Sequence, residues 1–156
     1  IIKIAKKIRT ITKKNKVKFI INDDSKLAKK VNADGCHIGQ LDNTVSSARK
    51  DIKKKIIGVT CHNSKILALR AAKDKADYIA FGSFFKSRLK PNAKKADLKI
   101  LNWAQKNIKK PIVAIGGITD KNYRKLIKAG ANYIAISSFI WNNPVLEPSN
   151  AIRKFK

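Results

Sequence analysis

Two aspartates, Asp23 and Asp42, each stand just past a short apolar run, in KFIINDD and GCHIGQLD. Two similar runs close on AIGGI (114–118) and IAISS (134–138). Carboxylates in such positions suit a hard divalent cation, whose preferred ligands are oxygens. Glycine amides suit a phosphate, because backbone N–H groups can close on it with no side chain in the way. Together these residues read as a site for a phosphorylated substrate that carries Mg²⁺.

Residues so far apart in the chain meet only if the elements that carry them line up, and a parallel α/β sheet gathers the carboxyl ends of its strands at one rim. Six apolar, β-branched runs fit that demand, at 17–22, 35–39, 56–60, 78–83, 112–117 and 133–138. Helical patterns separate them, which is the beat of repeated βα units. Ala-Asp-Gly (33–35), Lys-Ala-Asp (75–77) and Ala-Gly-Ala-Asn (129–132) read as helix-stop turns leading back into the sheet. The opening IIKIAKKIRTITKK spaces Ile1, Ile4, Ile8 and Ile11 along one face and predicts an amphipathic surface helix. One connection is longer and basic, SFFKSRLKPNAKKADLKI, ahead of a helix expected to start near Ala96. Loops of that length usually carry function. Six units fit either an open sheet or a (β/α)₈ barrel short of two strands, and periodicity leaves both open. The Gly-rich first turn of a dinucleotide fold is absent.

At 156 residues the chain makes one domain, and 44% apolar residues exclude disorder despite 29% charged ones. The net charge of +26 would attract polyanions. Lysine supplies nearly all of it, spread along every predicted helix, with six arginines, so a solvated exterior is the simpler reading and nucleic acid is not the expected partner. Cys36 and Cys61 each lie in a strand-like run without C-x-x-C spacing, as reduced thiols of a cytoplasmic protein would. No apolar stretch is long enough to span a membrane.

At this point the chain resembles thiamine phosphate synthase. The carrying segments are IINDD (20–24), ADGCHIGQLD (33–42), IIGVTCHNS (56–64), ADYIAFGSFFKSRLK (76–90), PIVAIGGIT (111–119) and AGANYIAISSFIW (129–141). They stand in that family's order and spacing over essentially the whole chain, and TCHNS and FGSFF look most like its alphaproteobacterial branch. The resemblance implies an α/β TIM barrel of which residues 1–156 supply strands three to eight, a single parallel sheet. It implies a transferase of thiamine biosynthesis that joins two small molecules, hydroxymethylpyrimidine diphosphate and thiazole phosphate, releasing diphosphate. By position, Asp23 and Asp42 look like Mg²⁺ ligands and Asn22 like a diphosphate contact. Thr60 takes the place of a hydroxyl near the reacting groups, and Lys90, with Ser87 beside it, resembles the family's diphosphate-binding lysine loop. Gly117, Ile136 and Ser137 correspond to the thiazole-phosphate cradle.

The family also brings a Gln-x-Arg-x-Lys strand to the diphosphate, and none precedes Ile1, so an N-terminally incomplete and catalytically impaired chain is one expectation. Its uncovered strand edges predict either a homo-oligomer, in which a second copy covers them, or an unstable isolated chain. A thiazole tautomerase is a second reading, opposed by Ser83 where that sister enzyme places a histidine base; a basic nucleic-acid-binding module is a third. Among the remaining polar groups, Asp24 is the better cap for the helix that follows, which releases Asp23. His37 is expected to pack inside the barrel, and His62 to support the site from behind.

Overall fold

Each apolar run becomes a strand, and every strand lies parallel to its neighbour in the computed structural model, which describes residues 1–86 and 95–155. The strands are β1 (Ile20–Asn22), β2 (Gly35–Ile38), β3 (Ile56–Thr60), β4 (Tyr78–Phe81), β5 (Ile112–Ile115) and β6 (Tyr133–Ala135), paired in sequence order. Helix α1 (Ile2–Lys14) comes first. Between the strands run α2 (Ser25–Lys30), α3 (Val45–Ile52), α4 (Lys65–Lys73), α5 (Lys99–Asn107) and α6 (Tyr123–Lys128). Two short helices, α7 (Ser138–Trp141) and α8 (Pro148–Ile152), follow β6. The result is a curled half-barrel of the TIM type. No helix among the described residues is long and apolar enough to cross a membrane.

Side chains alternate across the sheet. Ile21, Cys36, Ile38, Ile57, Val59, Ile79, Phe81, Ile112 and Ala114 point outward and are buried in the core beneath the helices. The register sets Asn22, His37, Gly58 and Tyr78 side by side on the opposite, concave face, with Ala80, Val113 and Tyr133 in the next row. In a closed barrel this interior is packed. Here its β5–β6 end is open, with Ile115 40% and Tyr133 62% exposed.

The turns before alternate strands hold the amino-terminal rim. Asp34 accepts from the Phe19 amide (2.8 Å), Asp77 from the Ile57 amide (2.8 Å) and Asn132 from the Ile112 amide (2.8 Å). Each returns its own amide to the same partner residue's carbonyl, at 2.7–2.9 Å. Arginines reinforce two of these clamps: Arg9 reaches Asp34 at 2.8 and 3.2 Å, and Arg49 reaches Asp77 at 2.8 Å. Both pairs are partly open to solvent, which screens them, so each contributes about 1 kcal/mol.

Three expectations shift. The first strand begins at Ile20, not residue 17, because the Phe19 amide is already engaged by Asp34. The helix that follows the long connection begins at Lys99, not near Ala96, because the Ala96 amide is drawn to the Ser83 carbonyl (2.7 Å). Helix α1 forms as expected, but its isoleucine stripe faces solvent, with Ile4 64% and Ile11 62% exposed. The helix docks instead through buried Ala5 and the Arg9 clamp.

Candidate active site at the carboxyl rim

Because all six strands run the same way, the segments that leave them converge on one rim. Asp23 follows β1 directly, and its amide continues the ladder by donating to the His37 carbonyl at 2.7 Å. It holds a left-handed backbone (φ 67°), a conformation costing a non-glycine residue about 1 kcal/mol or more. Asp24 caps α2 through the Leu27 amide (2.8 Å), the structural role the sequence suggested for it. Asp42 follows β2. Thr44, not Asp42, caps α3; the Asp42 Oδ2 accepts instead from the Gly39 amide at 2.6 Å.

The thiol of Cys36, beneath this corner, reports the local field. Burial first, and then the charges of Asp23, Asp24, Asp42 and Asp51, together push it up to about 11. An acidic island thus sits in a chain of net charge +26, and such an island concentrates cations. Among the described residues no three His, Cys, Asp or Glu side chains gather as a metal cage. One or two carboxylates are the complement Mg²⁺ uses when substrate phosphates and water complete its shell.

The middle of the rim holds a chain of side chains on the concave face. His37 lies 2.7 Å by Nε2 from Thr60 Oγ1 and 2.8 Å by Nδ1 from the Tyr78 hydroxyl. Its ring stacks on that of Tyr78, with centroids 5.4 Å apart. Burial lowers the His37 pKa against a smaller opposing pull from Asp42, and burial raises Tyr78 to about 12. Both rings are therefore neutral at neutral pH. Gly58 makes room for the stack, since a Cβ there would lie 1.9 Å from Tyr78 Cζ. Gln40 donates to the Thr60 carbonyl at 2.5 Å and steadies the same strand end. His37 is a packed barrel residue, as expected, but Tyr78 escaped sequence reasoning. The only signal was a glycine in the adjacent strand, legible once the register is known.

Beyond β5 the chain turns through Gly116 (φ 103°) and Gly117 (φ 62°), both left-handed. The turn is laced to the exit of β4: Phe84 N donates to the Ile115 carbonyl (3.2 Å) and Phe85 N to the Gly116 carbonyl (3.0 Å). A Cβ on Gly117 would lie 2.4 Å from the Lys86 carbonyl oxygen. Asn122 closes the turn by donating to the Gly117 carbonyl (3.0 Å) and accepting from Thr119 N (2.9 Å). Ile115 pairs with Ala135, which puts Gly117 and Ser137 at equivalent steps past the ends of adjacent strands, with Ile136 between strand and serine. Asn22 ends β1 beside His37. Lys90 and Ser87 lie outside the described residues. His62 is exposed with φ 51°, and it takes part through its backbone, whose carbonyl accepts from Gly82 N (3.1 Å).

Comparison with known proteins agrees with this geometry. The family model "Thiamine monophosphate synthase" matches residues 1–140. The thiamine-phosphate synthase of Pelagibacter ubique (strain HTCC1062) is 55% identical over 153 residues, covering 98% of this chain and 74% of its own length. That of Erythrobacter litoralis (strain HTCC2594) is 41% identical over 143 residues, covering 90% of this chain and 67% of its own. The solved structure of thiamine phosphate pyrophosphorylase from Pyrococcus furiosus superposes with a TM-score of 0.90 at 30% identity, over 99% of this chain and 73% of that one. With an acidic corner, a glycine turn and a family match running through the strands that carry both, the chain belongs to the thiamine monophosphate synthase family.

Proposed function

We propose that this chain catalyses the union of hydroxymethylpyrimidine diphosphate with thiazole phosphate, giving thiamine phosphate and diphosphate, as its relatives' names imply. In that reaction the bond from the pyrimidine methylene carbon to the diphosphate oxygen breaks, and a bond from that carbon to the thiazole nitrogen forms. The observation that carries the reading is the division of one rim into an acidic corner at β1–β2 and an amide-rich corner at β5–β6. Opposite corners of one cleft suit two phosphorylated substrates meeting between them.

In this reading Asp23 and Asp42 hold Mg²⁺, which when bound neutralises charge growing on the leaving diphosphate. Asn22 contacts the same diphosphate, and Lys90 and Ser87 are assigned to it by family resemblance. Thr60 faces the reacting carbon from the middle of the rim. The backbone amides around Gly117, Ile136 and Ser137 hold the thiazole phosphate, and orientation of the two substrates lowers the barrier by proximity. A cytoplasmic location belongs to the same reading, supported by two buried free thiols.

The tautomerase alternative is disfavoured, because Ser83 Oγ is occupied in donating to the Phe85 carbonyl at 2.7 Å. The test is to incubate the purified protein with both substrates and Mg²⁺ and follow thiamine phosphate. Expected are turnover abolished by chelator and a loss of about 10²-fold or more in Asp23→Ala and Asp42→Ala, the scale of removing one transition-state charge contact. Turnover indifferent to chelator and to both substitutions would overturn the proposal.

A further inference from the structure

The hydrogen-bonded row Tyr78–His37–Thr60 has two possible proton orders, and the structure favours one of them. A neutral imidazole donates from one nitrogen and accepts at the other. If Nδ1 carried the proton, the Tyr78 phenol would accept it and would need another acceptor for its own O–H. None is shown for it among the described residues, and leaving a half-buried donor without a protein partner carries a cost. If the Tyr78 phenol donates to Nδ1, the proton sits on Nε2 and is given to Thr60 Oγ1 (2.7 Å). The Thr60 hydroxyl has then accepted, so its own hydrogen must go elsewhere. Thr60 is the last residue of β3 and half-buried at the rim, where an incoming ligand can take that hydrogen.

We propose that Tyr78 and His37 are positioning residues that fix the direction of the Thr60 hydroxyl, turning its hydrogen outward toward an acceptor-only group of the substrate such as a diphosphate oxygen. The proposal rests on the function given above. Phosphate oxygens accept and cannot donate, so a threonine whose hydrogen pointed back at His37 would be useless to them. Gly58 is part of the device, since only a residue without a side chain leaves space for the Tyr78 ring to reach under His37.

The experiment is nitrogen-15 NMR of histidine-labelled protein beside steady-state kinetics. The chain has two histidines, so the His37 signals are identified by their loss in His37→Asn. Expected in the wild type is the Nε2–H tautomer. Expected in Tyr78→Phe is a mixture of tautomers, with kcat down about tenfold, the scale of one misdirected hydrogen bond, and KM for the pyrimidine diphosphate little changed. His37→Gln, whose amide can still donate toward Thr60, retains more turnover than His37→Leu. An Nδ1–H tautomer in the wild type, or unchanged tautomer and kcat in Tyr78→Phe, overturns the proposal. The tautomer is read without substrate. Absence of turnover in the wild type therefore sinks the function above on its own, while the NMR result still decides the proton order.

Discussion

Gly58→Ala is the sharpest perturbation of this molecule. The added Cβ would fall 1.9 Å from Tyr78 Cζ and 2.4 Å from both Cε atoms. Carbon atoms rest about 3.5–4 Å apart, so the ring must retreat by roughly 1.5 Å. A shift of that size breaks the 2.8 Å bond between the Tyr78 hydroxyl and His37 Nδ1, worth about 1 kcal/mol net. Overpacking adds about 1 kcal/mol, at the low end of its range because the open β5–β6 wall lets the ring swing aside. The total is about 2 kcal/mol, which in a domain of this size lowers Tm by roughly 4–8 °C. Calorimetry or circular-dichroism melts measure it. A double-mutant cycle isolates the cause, because in a Tyr78→Ala background the same glycine change no longer meets the ring and its effect falls sharply. An equal loss in both backgrounds would refute the assignment of this glycine to the tyrosine.

Gly117→Ala forces a side chain into a left-handed residue (φ 62°) and against the Lys86 carbonyl at 2.4 Å. Expected is a KM for thiazole phosphate raised about tenfold or more with KM for the pyrimidine diphosphate unchanged, read from initial rates; equal changes in both would contradict the separation of the two corners. The buried thiols predict alkaline weakening. Unfolded cysteines ionise near 8.5, whereas Cys36 and Cys61 keep their protons to about 11 and about 12. Between those limits the unfolded state binds fewer protons, so stability falls as pH rises from about 9 to 11. The urea midpoint at successive pH values records it, and a slope unchanged in Cys36→Ala/Cys61→Ala would refute the attribution.

Much of the architecture was legible because the outer face of each strand must be apolar to sit beneath helices, which made residues such as Ile57 and Ile79 and their regular recurrence visible. The cap at Asp24 was also readable, since a cap declares itself by the helix that follows it. What escaped depends on contacts across strands. Asp34, Asp77 and Asn132 looked like helix stops, yet their side chains reach sideways to amides at or next to the start of the neighbouring strand. Tyr78 opens a strand, and its meeting with His37 follows from a register that spacing along the chain does not encode. The isoleucines of α1 have helical periodicity, but periodicity names a face without naming what covers it.

The amino-terminal clamps recur at every second strand, so the half-barrel is sewn in couples: β1 with β2, β3 with β4, β5 with β6. Alignment within a couple is settled at the end remote from the substrates. Segments at the opposite end, including the glycine turn and the acidic corner, can therefore be rewritten or exchanged without unpicking the strands beneath them. Such modularity leaves a lineage free to change what the cleft accepts while inheriting the scaffold intact.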